Sequence, residues 1–159
     1  MYTIRSYDPK DADAVWTLHK VSVTKNNSHL PASRYEDLRD IGNAYLQANG
    51  QFLLAVSADG QLIGMGGVRR QKQGQAEINH LRVHPGFQKQ GIGAGILKQL
   101  EQFAREHQCA KTTLSVLLGQ TDTQRFFLRN GYYFVRRDVL DGMDVVFFEK
   151  QLDWQRETT

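Results

Sequence analysis

Eight residues, Gln88-Lys89-Gln90-Gly91-Ile92-Gly93-Ala94-Gly95, constrain this chain more than any other stretch. They stand between an apolar, strand-like run, Ile78 to Val83, and a segment from Ile92 to His107 whose apolar residues recur at helical spacing. A turn so rich in glycine lets successive backbone N–H groups point into one concavity without Cβ interference. The helix that follows adds the positive end of its dipole. Strand, glycine turn and helix together build a phosphate cradle, and a pyrophosphate is its natural occupant.

Spacing narrows the choice of pyrophosphate. A dinucleotide fingerprint needs G-x-G-x-x-G, and counting from Gly91 its third glycine would fall on Ile96. The acidic residue that should hold a ribose about 20 residues further on is missing too, because that stretch reads Cys109-Ala110-Lys111-Thr112-Thr113. A nucleoside-triphosphate loop, G-x-x-x-x-G-K-[ST], fails because Lys111-Thr112 comes far too late to close it. What the loop does fit is Q/R-x-x-G-x-G/A, on Gln88, Gly91 and Gly93.

In that form it resembles the acyl-CoA loop of the GNAT superfamily of N-acyltransferases. The likeness runs without a gap from Ala76-Glu77-Ile78 through Leu81-Arg82-Val83-His84-Pro85 to Gly91-Ile92-Gly93, similar to that family's fourth strand, loop and third helix. Downstream, Phe126-Phe127-Leu128-Arg129-Asn130-Gly131-Tyr132 is similar to the family's last helix and its glycine-aromatic exit into a strand. The resemblance implies acetyl-CoA as co-substrate, held by Leu81, Arg82, Val83, Gln88, Lys89, Gln90, Gly91, Ile92, Gly93 and Ala94, with Gln120 and Phe127 joining from the later motif. It implies an amine acceptor as second partner and leaves room for a homodimer. No metal is expected, because His80 in a strand and His84 beside Pro85 do not share a helical face, and His107 with Cys109 lacks further ligands at standard spacing.

The length of 159 residues fits one domain, residues 1–159, able to bury a core without staples. A single cysteine, Cys109, excludes an internal disulfide, and no charged-then-apolar leader opens the chain. Both point to an intracellular, cytoplasmic protein. No uncharged apolar run approaches the ~20 residues that span a bilayer, so no membrane segment is expected. The balance of 20 basic and 17 acidic residues is too mild to argue for a nucleic-acid surface.

Patterning predicts a strand at Thr3 to Tyr7, then a helix from Ala12 to about Val23 capped from Asp8-Pro9-Lys10-Asp11. Ala12, Val15, Trp16, His19 and Val23 give it a buried side, and Lys25 to Ser33 reads as a loop. A second helix is expected over Tyr35 to Ala48, closed by Asn49-Gly50. Strands follow at Phe52 to Ser57, Leu62 to Arg70 and Gln75 to Val83, then the helix after the glycine loop. Strand Thr112 to Leu117, helix Thr121 to Asn130 and strands Tyr132 to Arg137 and Asp144 to Lys150 complete the pattern. This order indicates an α/β fold with a mixed, mostly antiparallel sheet of about seven strands and helices on both faces. The resemblance adds that the strand ending at Val83 and the strand beginning near Thr112 splay apart into the acyl-CoA cleft.

Acetyl transfer to an amine needs a neutral amine, a stabilised oxyanion and a departing thiolate. An ammonium has a pKa near ~10, so a group in the site must take its proton. Glu77 is the candidate, in an Ala-Glu-Ile context where some members of the family carry a catalytic glutamate; the alternative is an ordinary strand-end carboxylate or a structural ion pair. Its neighbours Asn79 and His80 are weighed beside it. His80 would act as base or orient a water if it faced the cleft, but strand alternation puts it on the opposite face from Glu77, packed against a helix. The resemblance assigns the oxyanion to a backbone N–H along Leu81 to Val83, and the pantetheine arm to the backbone of the same residues. For the thiolate the chain departs from the family, which often places a tyrosine where Phe127 stands; Tyr132, Tyr133 or a water are the substitutes. That departure keeps a second reading open, an acyl-CoA-binding module without catalysis. The first helical region, Lys25 to Tyr35, and the last hairpin, Arg137 to Val145, are expected to shape the acceptor pocket.

Overall fold

The computed structural model describes residues 1–26 and 32–152. Seven strands, β1 (Tyr2–Ser6), β2 (Gly50–Ser57), β3 (Leu62–Gln71), β4 (Gln75–Val83), β5 (Lys111–Leu117), β6 (Tyr133–Leu140) and β7 (Met143–Gln151), form one sheet in the order β1-β2-β3-β4-β5-β7-β6. Every neighbouring pair is antiparallel except β4 and β5, which run parallel. The helices are α1 (Ala12–Asn26), α2 (Ile92–Glu106) and α3 (Thr121–Arg129). The α/β class and mostly antiparallel sheet expected from the sequence are what the chain forms.

Apolar side chains cover both faces of the sheet. On one, α2 lays Ile92, Ile96, Leu97, Leu100 and Ala104 against Ile63, Val68, Ile78 and Leu114. On the other, Val15 and Leu18 of α1 pack with Leu38, Ile41, Tyr45, Phe52, Leu54 and Met65. Phe52-Leu53-Leu54-Ala55 is therefore a continuous apolar run, because β2 is buried on both sides. The buried side of α1 runs through Val15, Leu18, His19 and Ser22, while Ala12 is exposed. The expected stripe was thus displaced at its first position; Val23 has no described side chain. Asp8 and Asp11 cap the turn that enters α1 reciprocally, and Arg5 clamps Asp11 at 2.8 Å.

The helix expected over Tyr35 to Ala48 is two short pieces instead. A 3-10 segment, Ala32–Arg39, is followed at Gly42–Leu46 by a wide turn in which the Gln47 N–H bonds the Gly42 carbonyl. Asp40, Gly42 and Asn43 are poor helix formers, and the Asp40 carboxylate accepts from the Asn43 side chain at 3.0 Å. Asp37 is drawn away to β4, as described below, which fixes the first piece to the sheet. Of the predicted Lys25 to Ser33 loop, residues 27–31 lie outside the described residues.

Two local features position the site. A Cβ at Gly66 would stand 3.0 Å from Ile96 and Leu81 and 3.1 Å from Leu100, so α2 approaches β3 closely. Opposite Gly66, β4 carries an extra residue: Gly67 pairs Asn79 and Met65 pairs Arg82, and His80 takes a left-handed φ of 56°. On its other edge β4 pairs β5 only from Gln75–Lys111 to Glu77–Thr113. Beyond Glu77 the two parallel strands have no ladder.

Candidate active site

Where the ladder stops, a cavity of about 470 Å³ opens between the strands. One wall is β4 from Glu77 to Arg82, the other β5 from Leu114 to Leu117, with Gln120, Thr123 and Phe127 at the α3 end and Tyr35, Glu36 and Asp37 over the top. Parallel strands that part this way leave alternate backbone N–H and C=O groups of β4 without a strand partner. Leu81, Arg82, Gln120 and Phe127 of the expected acyl-CoA set, and Glu77, line this one space.

The rest of that set lies beside the cavity. After β4 the chain makes a short turn at Pro85–Phe87, where His84 Nδ1 accepts from the Gly86 N–H at 3.0 Å. Gln88 reaches back to the Val83 carbonyl at 3.4 Å. Lys89 and Gly91 both adopt left-handed φ, 64° and 80°, and Gly91 is the N-cap of α2. The Gly95 N–H makes the first helical bond, to the Gly91 carbonyl at 2.9 Å. The N–H groups of Ile92, Gly93 and Ala94 precede it and have no intrahelical acceptor, which with the dipole makes an anion site. A Cβ at Gly93 would lie 3.4 Å from the Phe126 ring and 3.5 Å from Val83, so this turn abuts the end of β4 and α3. Space and donors fit the diphosphate of an acyl-CoA at the loop and its thioester arm in the splay.

Glu77 has a polarised carboxylate. Its Oε1 accepts from Asn79 Nδ2 (3.0 Å), Gln71 Nε2 (3.3 Å) and Arg69 Nη2 (3.5 Å), while Oε2 has no partner among the described residues. The side chain is 37% exposed. One oxygen is held and the other is free for a proton.

Sequence reasoning put His80 on the opposite face, against a helix. The extra residue in β4 overturns that: it breaks the alternation, and Glu77 and His80 line the same cavity. His80 Nε2 sits 2.9 Å from Asp37 Oδ2 and 3.0 Å from Oδ1, and the Tyr45 hydroxyl donates to Oδ2 at 2.5 Å. Burial pushes the Asp37 carboxyl up, but hydrogen bonding and charge from His80, with Tyr45 added, outweigh it and hold the group at about 2. Burial pushes the Tyr45 hydroxyl up. Asp37 is a site residue that sequence reasoning missed. It lies 43 positions from His80, and no spacing rule links a 3-10 segment to a strand bulge.

Behind the pair, ring contacts run from Trp16 to His19 (5.0 Å between centroids) and from His19 to Tyr35 (4.2 Å). His19 is 4% exposed; burial, then the charges of Arg82 and His80, lower its pKa to about 4. Its Nδ1 is buried without a hydrogen-bond partner.

Phe127 is buried edge-to-face between Phe126 and Tyr132, at 5.1 and 5.4 Å. Tyr132 does not reach the cavity: its hydroxyl lies 2.7 Å from Thr112 Oγ1 and donates to Glu101 at 2.9 Å, and burial pushes it up. Tyr133 is on the outer strand, accepting from Gln151. The last hairpin, Arg137 to Val145, supplies no lining residue among those described. No group of three or more His, Cys, Asp and Glu gathers as metal ligands would among the described residues. None of the described helices is long and apolar enough to cross a membrane.

The model of the Acetyltransferase (GNAT) family matches residues 13–132. Among solved structures, a GNAT-family acetyltransferase from Staphylococcus aureus is 22% identical, with a TM-score of 0.86, covering 96% of this chain and 100% of that one. The PaiA N-acetyltransferase of Thermoplasma acidophilum, in complex with coenzyme A, is 19% identical with a TM-score of 0.79, covering 96% and 99%. An acetyltransferase from Streptococcus agalactiae is 19% identical with a TM-score of 0.81, covering 95% and 98%. Among curated proteins no sequence matches.

Proposed function

The chain belongs to the GNAT acetyltransferase family, and from that premise we propose that it moves an acetyl group from acetyl-CoA to the amine of an acceptor by direct attack. The observation that carries this reading is the end of the β4–β5 ladder at Glu77–Thr113, which opens a cavity between the two strands, on the same β4 that leads into the glycine loop at the α2 N-terminus. Diphosphate and thioester of one ligand need such a pair of neighbouring sites. The N-acetyltransferase of similar fold that binds coenzyme A supports both the donor and an amine acceptor.

Each residue has a part in this reading. The N–H groups of Ile92, Gly93 and Ala94 hold the diphosphate, flanked by Gln88, Lys89 and Gln90. The backbone of β4 from Leu81 to Val83, beyond the end of the β5 ladder, aligns the pantetheine arm and meets the oxyanion, which fixed dipoles stabilise without reorganising. Glu77 takes the amine's proton on Oε2, while Arg69, Gln71 and Asn79 fix its other oxygen. With Phe127 in place of a tyrosine, the thiolate leaves without a phenolic donor; an alkyl thiol of pKa near ~8.5 tolerates this.

Incubation with acetyl-CoA and a panel of amines, amino acids and peptides, following free thiol, tests the reading. Amine-dependent thiol release is expected. Coenzyme A binding without release from any amine would favour a silent binding module, and no binding would refute the cleft assignment.

A further inference from the structure

All eight residues of β6 are solvent-exposed, and β6 is the outer strand of the sheet, so among the described residues no strand covers its outer edge. The strand is not polar: Phe134 and Val139 are each 58% exposed, and Tyr133, Val135 and Leu140 are also uncovered. An uncovered apolar edge is a template for pairing with another chain.

The order of residues selects the partner. Register with β7 puts Tyr133, Arg136, Asp138 and Leu140 on one face, with Glu149, Phe147, Val145 and Met143. Phe134, Arg137 and Val139 share the other face, and the register shift between Phe134 and Arg136 leaves Val135 as the extra residue. We propose that β6 pairs antiparallel with β6 of a second copy about a two-fold axis at Arg137. Arg136 of each copy then faces Asp138 of the other. Past the extra residue, Phe134 meets Val139 and Tyr133 meets Leu140, each pair on one face. The two Arg137 side chains meet at the axis, each offset by its own Asp144 at 3.6 Å. In the single chain Asp138 is only loosely engaged, 3.6 Å from Arg136 and bonded to the adjacent Val139 N–H. It is free to exchange that contact for an Arg of the partner.

Sedimentation of the full chain across the micromolar range tests the proposal. A reversible dimer is expected, and a monomer throughout would overturn it. Arg136→Asp places Asp opposite Asp, and Asp138→Arg places Arg opposite Arg, so each variant alone should sediment as a monomer. Mixed in equal amounts they should recover the dimer, because each supplies the charge the other lacks. The contact within each chain stays broken in the mixture, so recovery reports pairing between chains. Single variants that remain dimeric, or a mixture that stays monomeric while both fold by circular dichroism, would also overturn it.

Discussion

Asp37 and His80, both lining the cavity, meet at 2.9 Å, one from a 3-10 segment and the other from the extra residue in β4. The contact ties the segment that covers the site to the strand that forms its wall. Because Asp37 sits at about 2 against an ordinary 3.8, the pair also makes a statement about stability. A carboxylate with a depressed pKa stabilises the fold above its unfolded value, and that contribution disappears as pH falls through the folded value. Asp37→Asn should therefore cost about 2 kcal/mol at neutral pH. In chemical denaturation, the gap between wild type and variant should close between about pH 4 and pH 2.

His19 gives an effect in a different window. Its pKa is depressed from 6.5 to about 4, so below 6.5 the unfolded chain binds a proton that the folded chain refuses. Stability should fall as pH drops from 6.5 to 4, by up to about 3 kcal/mol from this residue. His19→Phe, which also removes the unpartnered Nδ1, should flatten that part of the profile in thermal melts. An unchanged slope would show that His19 accepts its proton in place.

Glu77→Gln should lower kcat by roughly 10²-fold or more and shift the pH profile, with little change in acetyl-CoA affinity. Stopped-flow thiol release against pH measures both. Wild-type rates across the range would remove Glu77 from the reaction.

At the loop, Gly91→Glu and Gly93→Glu should abolish coenzyme A binding by calorimetry, through bulk and charge at the diphosphate. Gly91→Ala separates conformation from contact. Nothing lies within 4 Å of its Cβ position, but φ is 80°, so the cost should be strain of about 1–2 kcal/mol.

Away from the site, Glu101 is buried between the Tyr132 hydroxyl and Lys150 Nζ at 2.9 and 3.0 Å. Glu101→Ala leaves Lys150 without its counter-charge and should cost about 3–5 kcal/mol. Tyr132→Phe should cost about 1–2 kcal/mol and leave thiol release unchanged, since its hydroxyl faces Thr112 and Glu101.

The sequence by itself determined the sheet, the three helices and the glycine loop. These rest on local periodicity and on φ requirements carried by single residues, such as Gly91 and the Asp141-Gly142 turn, whose φ values are 51° and 77°. Tertiary structure decided what locality could not. Whether Tyr35 to Ala48 stayed one helix depended on where Asp37 found its partner. Which way His80 pointed depended on an extra residue in β4 that answers the close approach of α2 to Gly66. Strand alternation is a rule about an unbroken ladder, and the residues of this cavity lie where the ladder is broken.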